Sequence, residues 1–196
     1  MRTWLALAAV TLVTCLSGCA AADPAGGEKT RPREILLIRH AEKPADAADF
    51  GLSPAGRERA AALPTLFDQT RTDPFPVPDV IFAAERSKRS NRSVETVSPL
   101  AEKLGLRIDT RFADDDYRKL AAELRTDPKY AGKTVLVCWH HGNLPELAAA
   151  LGAAGVPESW KDGEFGRVWV VTYDAAGKGK PLGTRPQRLL PGDAER

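Results

Sequence analysis

Cysteine is scarce in this chain: there are three in 196 residues, Cys15, Cys19 and Cys138. Two fall in a leader-like opening segment, so a processed chain keeps only Cys138 in its folded part and no internal disulfide can form there. An excess of one charge is lacking too. Lys and Arg number 28, Asp and Glu 26, for a formal net charge of +2. That balance excludes the clustered basic excess of a general nucleic-acid binder. No apolar run is long enough to span a bilayer comfortably; Leu5 to Val13 falls well short. There is no internal repeat, no G-x-S-x-G elbow and no HExxH or paired-cysteine spacing, so serine-elbow hydrolysis and a zinc centre are not indicated. Ala131-Gly132-Lys133-Thr134 imitates the end of a P-loop, but position 127 is Asp where glycine is needed, and the stretch precedes a strand instead of following one. Cys138 has Leu144, not arginine, six residues on, which excludes a cysteine phosphatase loop.

What is present begins with a processing signal. Arg2 supplies a short positive region, Leu5 to Val13 an apolar one, and Leu16-Ser17-Gly18-Cys19 follows directly. The tetrapeptide resembles a bacterial lipobox, which implies removal of residues 1–18 and lipidation of Cys19; cleavage of a plain secretory signal after Ala20 or Ala22 is the alternative. Residues 19–33, rich in Ala, Gly, Pro and charge, read as a flexible tether. Residues 34–196 form one domain, long enough for a sizeable core. The expected setting is the cell envelope, with the domain exported and held to a membrane through its lipid.

The remainder alternates between strand-like and helix-like stretches. Strands are expected at Glu34–Ile38, Asp79–Ala83, Leu106–Ile108, Thr134–Trp139 and Arg167–Tyr173, the last as an alternating edge strand. Helices are expected from Ser53-Pro54, a good N-cap with proline at N1, from about Lys88 to Leu104 before Gly105, from Asp114 to Leu124 with acids in the first turn, and from Leu144 to Leu151 with Asn143 and Glu146 spaced as a capping box. Ile35–Ile38 and Val135–Val137 are continuously apolar, as strands covered on both faces are. The pattern predicts a three-layer α/β/α fold: an open, mostly parallel sheet with helices on both sides.

Such sheets bind ligands beyond the carboxyl ends of their strands. Arg39-His40 stands at one such end and Trp139-His140-His141 at another, and these three are all the histidines of the chain. The strand from Asp79 leads into Arg86, Arg89 and Arg92. Histidines, arginines and a helix start on one rim suit a tetrahedral anion, because guanidinium forks match phosphoryl oxygens and stay charged.

Four motifs in order carry a family resemblance: Arg39-His40-Ala41-Glu42, Leu52-Ser53-Pro54-Ala55-Gly56, Arg92-Ser93-Val94-Glu95-Thr96, and Val135 to Leu147. Over about residues 33–175 the chain resembles the histidine phosphatase superfamily, the phosphoglycerate mutase-like proteins, and its phosphatase-type members in particular. The resemblance implies His40 as nucleophile forming a phosphohistidine, Arg39 and Arg92 as holders of phosphoryl oxygens, and His140 as a donor to the developing charge. His140 keeps Leu144 and Leu147 in register with the family pattern; His141 fits a His-Gly-Asn reading with the helix slipped by one. A strand alternates its faces, so one of the two should enter the site and the other line the rim. The general acid is least defined. Asp114 and Glu42 are both possible, although Asp114 to Asp116 also suit a helix start and Glu42 an arginine partner. The implied reaction is hydrolysis of a phosphomonoester, on a phosphorylated small molecule or a phosphoprotein, with no cofactor, no metal and no nucleic-acid partner. A non-catalytic binder of phosphoryl ligands and a phosphomutase are the alternatives, though the stretch between Arg92 and Thr134 is short for a mutase cap.

Overall fold

The computed structural model describes residues 30–46 and 48–193. The leader, the lipobox with Cys19 and the tether up to residue 29 lie outside the described residues. The last part of the expected tether belongs to the domain: Pro32 is buried, Gly132 N donates to Arg31 O (2.9 Å) and Arg33 N to Lys133 O (2.9 Å). Paired backbone of this kind is folded structure, so the domain starts by Arg31.

Six strands form one sheet: β1 Glu34–Arg39, β2 Val80–Ala83, β3 Ile108–Asp109, β4 Thr134–Trp139, β5 Arg167–Val171 and β6 Gly183–Pro186, in the order β3-β2-β4-β1-β5-β6. The first four in that order are parallel; β5 runs antiparallel to β1, and β6 antiparallel to β5. Central β1 and β4 are covered on both faces, which is why their sequences are unbroken apolar runs. Side chains alternate faces along each strand. Ile35, Leu37, Val135, Val137 and Trp139 share a core with α3 (Tyr117–Thr126) and α4 (Leu144–Ala150). Leu36, Ile38, Leu136 and Cys138 face α2 (Arg92–Leu104) and the 3-10 turn that continues α1 (Pro54–Ala62). The three-layer α/β/α expectation therefore holds.

Several local expectations change for physical reasons. α2 begins at Arg92, not Lys88, because the Ser87 hydroxyl accepts from the backbone N–H groups of Arg89 and Ser90 (3.1 Å each) and turns the chain before helix can form. Asp114–Asp116 is a 3-10 turn leading into α3. Asn143 does not cap α4; its amide donates to Asp114 O (3.2 Å). β5 is not an edge strand, because β6 pairs outside it. That strand was illegible in Gly183-Thr184-Arg185-Pro186, whose glycine and proline read as a turn.

Candidate active site

Register builds the centre of the site. Arg39 of β1 stands opposite Trp139 of β4, and one residue further His40 N donates to Trp139 O (3.0 Å). His40 and His140 are thus neighbours on adjacent parallel strands, on the same face. Adjacent strands lie about 4.8 Å apart, and the two imidazole centroids are 5.1 Å apart. The same alternation turns His141 to the other face, where its Nε2 meets Asp162 Oδ1 at 2.9 Å.

His40 is 3% exposed. Its Nδ1 lies 2.7 Å from Ala41 O, and a carbonyl can only accept, so Nδ1 carries the proton and Nε2 a free lone pair. Burial pushes its pKa down to about 3; the Ala41 hydrogen bond opposes this, and His140, Arg39 and Arg92 add to it. The ring is neutral near pH 7.

Two arginines flank it. Arg39, 2% exposed, has its pKa lowered to about 10, chiefly by burial. Its Nη1 donates to Lys161 O (3.3 Å), Asp162 O and Glu164 O (3.5 Å), and Phe165 covers its guanidinium, 4.1 Å from ring centroid to Cζ. β5 is antiparallel, so the segment preceding it arrives at this same edge. Arg92 starts α2 and donates from Nη1 to Asp49 O (3.4 Å). Thr96 fixes its helix to the nucleophile's strand: its hydroxyl accepts from Ala41 N (2.8 Å) and donates to Arg92 O (2.7 Å). Gly56 has an equally concrete role. A Cβ there would stand 2.4 Å from Glu42 O, so only glycine lets α1 approach the loop after His40.

Asp114 is brought to His140. Trp139 Nε1 (3.0 Å) and Asn143 Nδ2 (3.2 Å) both donate to Asp114 O and hold the turn against the site. Burial raises its carboxyl pKa, opposed by His140; burial in turn lowers the pKa of His140. Glu42 is not presented as an acid. Both its oxygens accept from Arg59, at 2.8 to 3.1 Å. A cleft of about 430 Å³ is lined by Arg86, Arg89, Arg92, Asp114, Asp115 and His140.

Part of the unmet hydrogen-bonding capacity of the described residues lies at this edge, with Arg31 and Arg125 carrying more of it elsewhere. Among the described residues, buried side-chain atoms without a partner include Arg39 Nε, Arg92 Nε, Asp114 Oδ1 and His141 Nδ1. Buried polar groups are ordinarily satisfied, so two guanidinium donors left open beside a neutral imidazole describe a place for an anion. Phe165, Asp162 and Thr96 are additions to the residues singled out from sequence. Thr96 stood in a quoted motif without a role. The segment before β5 could have been found only by knowing that β5 is antiparallel.

A four-stranded parallel core, an antiparallel flank and two histidines and two arginines at the carboxyl edge define a three-layer α/β/α protein whose polar cluster sits where open α/β sheets bind ligands. The fold is phosphoglycerate mutase-like. The chain is similar to the structure of the protein histidine phosphatase SixA complexed with tungstate, with a TM-score of 0.53 and 17% identity over 76% of this chain and 94% of that one. It is similar to a mycobacterial glucosyl-3-phosphoglycerate phosphatase in its native form (TM-score 0.51, 16% identity, 79% of this chain and 97% of that one). It is similar to the same phosphatase with inorganic phosphate (TM-score 0.50, 17% identity, 78% and 95%). At these identities the likeness is one of fold. No family model matches the chain, and no curated protein does.

Proposed function

We propose that this protein is a phosphatase that hydrolyses a phosphomonoester, of a small molecule or of a phosphoprotein, through a phosphohistidine on His40. The observation that carries the reading is the neutral His40 ring, with Nδ1 tied to Ala41 O and Nε2 left as the nucleophilic atom beside His140. That the fold's solved relatives include two phosphatases supports it.

In the proposed reaction the phosphoryl group lies between Arg39, Arg92 and His140. His40 Nε2 attacks phosphorus in line as the bond to the leaving oxygen breaks. Asp114 gives that oxygen its proton, and its raised pKa makes it the best-placed carboxyl for the task. Water then attacks the phosphohistidine, Asp114 takes a proton from it, and inorganic phosphate leaves with His40 restored. The arginines and His140 are asked for electrostatic stabilisation of the equatorial oxygens. Export and lipidation at Cys19 complete the proposal, placing the domain in the cell envelope.

The test is a phosphomonoester panel with rapid acid-free quenching, comparing wild type with His40→Ala. A labelled phosphohistidine and turnover in wild type only are expected. Tungstate binding without turnover in wild type would replace the enzyme with a phosphoryl-binding module. Transfer of label to an added alcohol in place of water would make it a mutase-type transferase.

A further inference from the structure

Arg59, on α1, is 5% exposed and holds two carboxylates at once. Its Nε and Nη2 donate to Glu42, and its Nη1 (2.8 Å) and Nη2 (2.7 Å) to Asp193. Asp193 also accepts from Leu189 N (2.8 Å) and Leu190 N (3.2 Å), which folds the C-terminal tail over itself. The tail then meets the segment before β5. Gln187 N donates to Gly166 O (2.8 Å), Gln187 Nε2 to Arg167 O (3.1 Å), and a Cβ on Gly166 would stand 2.7 Å from the Asp193 carboxyl carbon.

These contacts reach Arg39 from two directions. Glu42 follows it by three residues, and the segment ending at Gly166 supplies the carbonyls and the Phe165 ring that hold its guanidinium. The tail packs Leu189 against the core and adds to that an ion pair in which both side chains are 6% exposed. Buried pairs cost desolvation and return little net stability, but their geometry is directional.

We propose that the C-terminal tail Gln187–Asp193 is a strap that sets Arg39 for its anion, with Asp193 as the positioning residue, acting through Arg59 and Gly166. The inference rests on the phosphoryl reading of the site. Asp193 touches no reacting atom. It fixes the lower end of the Lys161–Gly166 segment and, through Arg59, the Glu42 loop. When either end is loose, Arg39 loses the three carbonyls that orient it, and the anion meets a guanidinium that must first be ordered.

Two variants test this in the full chain purified in detergent. Asp193→Asn keeps an acceptor for Leu189 N and Leu190 N but removes the negative charge that faces Arg59. Gly166→Ala keeps the charge and forces the carboxylate away. Tungstate affinity by calorimetry, KM and kcat on a phosphomonoester, melting temperature, and hydrogen exchange of residues 160–167 are measured for both. Both variants should weaken tungstate binding about tenfold, as small misplacements of positioning groups do. KM should rise by a similar factor while kcat changes far less, and exchange in 160–167 should accelerate. A lower melting temperature with unchanged tungstate affinity, KM and exchange would make the tail purely structural and overturn the strap. Wild type that neither binds tungstate nor turns over phosphomonoesters would instead overturn the phosphoryl reading, while the exchange comparison still decides whether the tail holds the segment.

Discussion

His40 is kept neutral by burial first and by its cationic neighbours second, and this has consequences at both ends of the pH scale. Above its ordinary value of 6.5 the imidazole is neutral whether the chain is folded or not, and it contributes nothing to pH dependence. Between 6.5 and about 3 only the unfolded chain takes up a proton there, so the folded state loses stability as pH falls through that window. His140 and His141 are lowered too and act in the same sense. Stability from denaturant titrations should therefore drop from pH 7 to pH 4, and His40→Ala should flatten the slope; an equal slope in the variant would show that His40 is not held neutral. Asp114 works with the opposite sign. Burial raises its pKa, so the carboxyl keeps its proton to higher pH than a free aspartate does, and donation to a leaving group fails as pH rises through its titration. Asp114→Asn should slow hydrolysis of alkyl phosphates by about 10²-fold or more, the usual worth of a general acid. With p-nitrophenyl phosphate, whose leaving group needs no proton, formation of the phosphohistidine should be barely affected while its hydrolysis by water slows; equal losses in phosphohistidine formation on both substrates would remove Asp114 from the acid role. Arg92→Ala should cost about 2–4 kcal/mol of transition-state stabilisation, the scale of losing one anion-stabilising donor, read mainly in kcat. Arg89→Ala should cost much less, and the reverse order would move the clamp to Arg89.

The elements that carry these residues were partly legible. Ile35–Ile38 and Val135–Val137 announced themselves as doubly covered strands, and both are central. Ser53-Pro54 announced a helix start, and the Ser53 hydroxyl accepts from Gly56 N at 3.0 Å. What sequence could not supply was register. Nothing in either strand says that Arg39 faces Trp139, and that pairing alone makes His140, not His141, the neighbour of His40. Side-chain competition was equally hidden: the Ser87 hydroxyl closes a local turn with Arg89 N and Ser90 N, and the Asn143 amide reaches Asp114 O. Gly56 shows how a motif glycine acts through packing between elements. Gly56→Ala must separate α1 from Glu42 O, at about 1–3 kcal/mol of overpacking. The shift falls two residues from His40, so the midpoint of denaturation and kcat/KM should fall together. A stable variant with full activity would mean that the contact relaxes without moving the nucleophile.

For the whole molecule, the parallel core was readable; in the antiparallel flank β5 was read as a strand but not its direction, and β6 was missed because its glycine and proline read as a turn. That architecture also gives the proposed anchor a geometry. The chain joins the sheet at the start of β1, where Arg31 and Arg33 pair with Gly132 and Lys133. His40 follows the other end of a six-residue strand, about 20 Å away at roughly 3.3 Å per residue. A lipid on Cys19 would therefore tether the domain from the pole opposite its site and leave the cleft open to exported phosphoesters. Two or three acyl chains hold a protein to a bilayer stably where one does not. Wild type should fractionate with membranes, and Cys19→Ala should be released or accumulate unprocessed. Wild type reconstituted in vesicles should keep kcat/KM on a soluble phosphomonoester within about twofold of the detergent-solubilised protein, since binding the anchor moves nothing at the site. If Cys19→Ala stays membrane-bound and matures at the wild-type position, the leader is a plain secretory signal and the anchor is lost. If the vesicle-bound enzyme is strongly slowed, the anchor stands, but the site faces the membrane and this orientation is wrong.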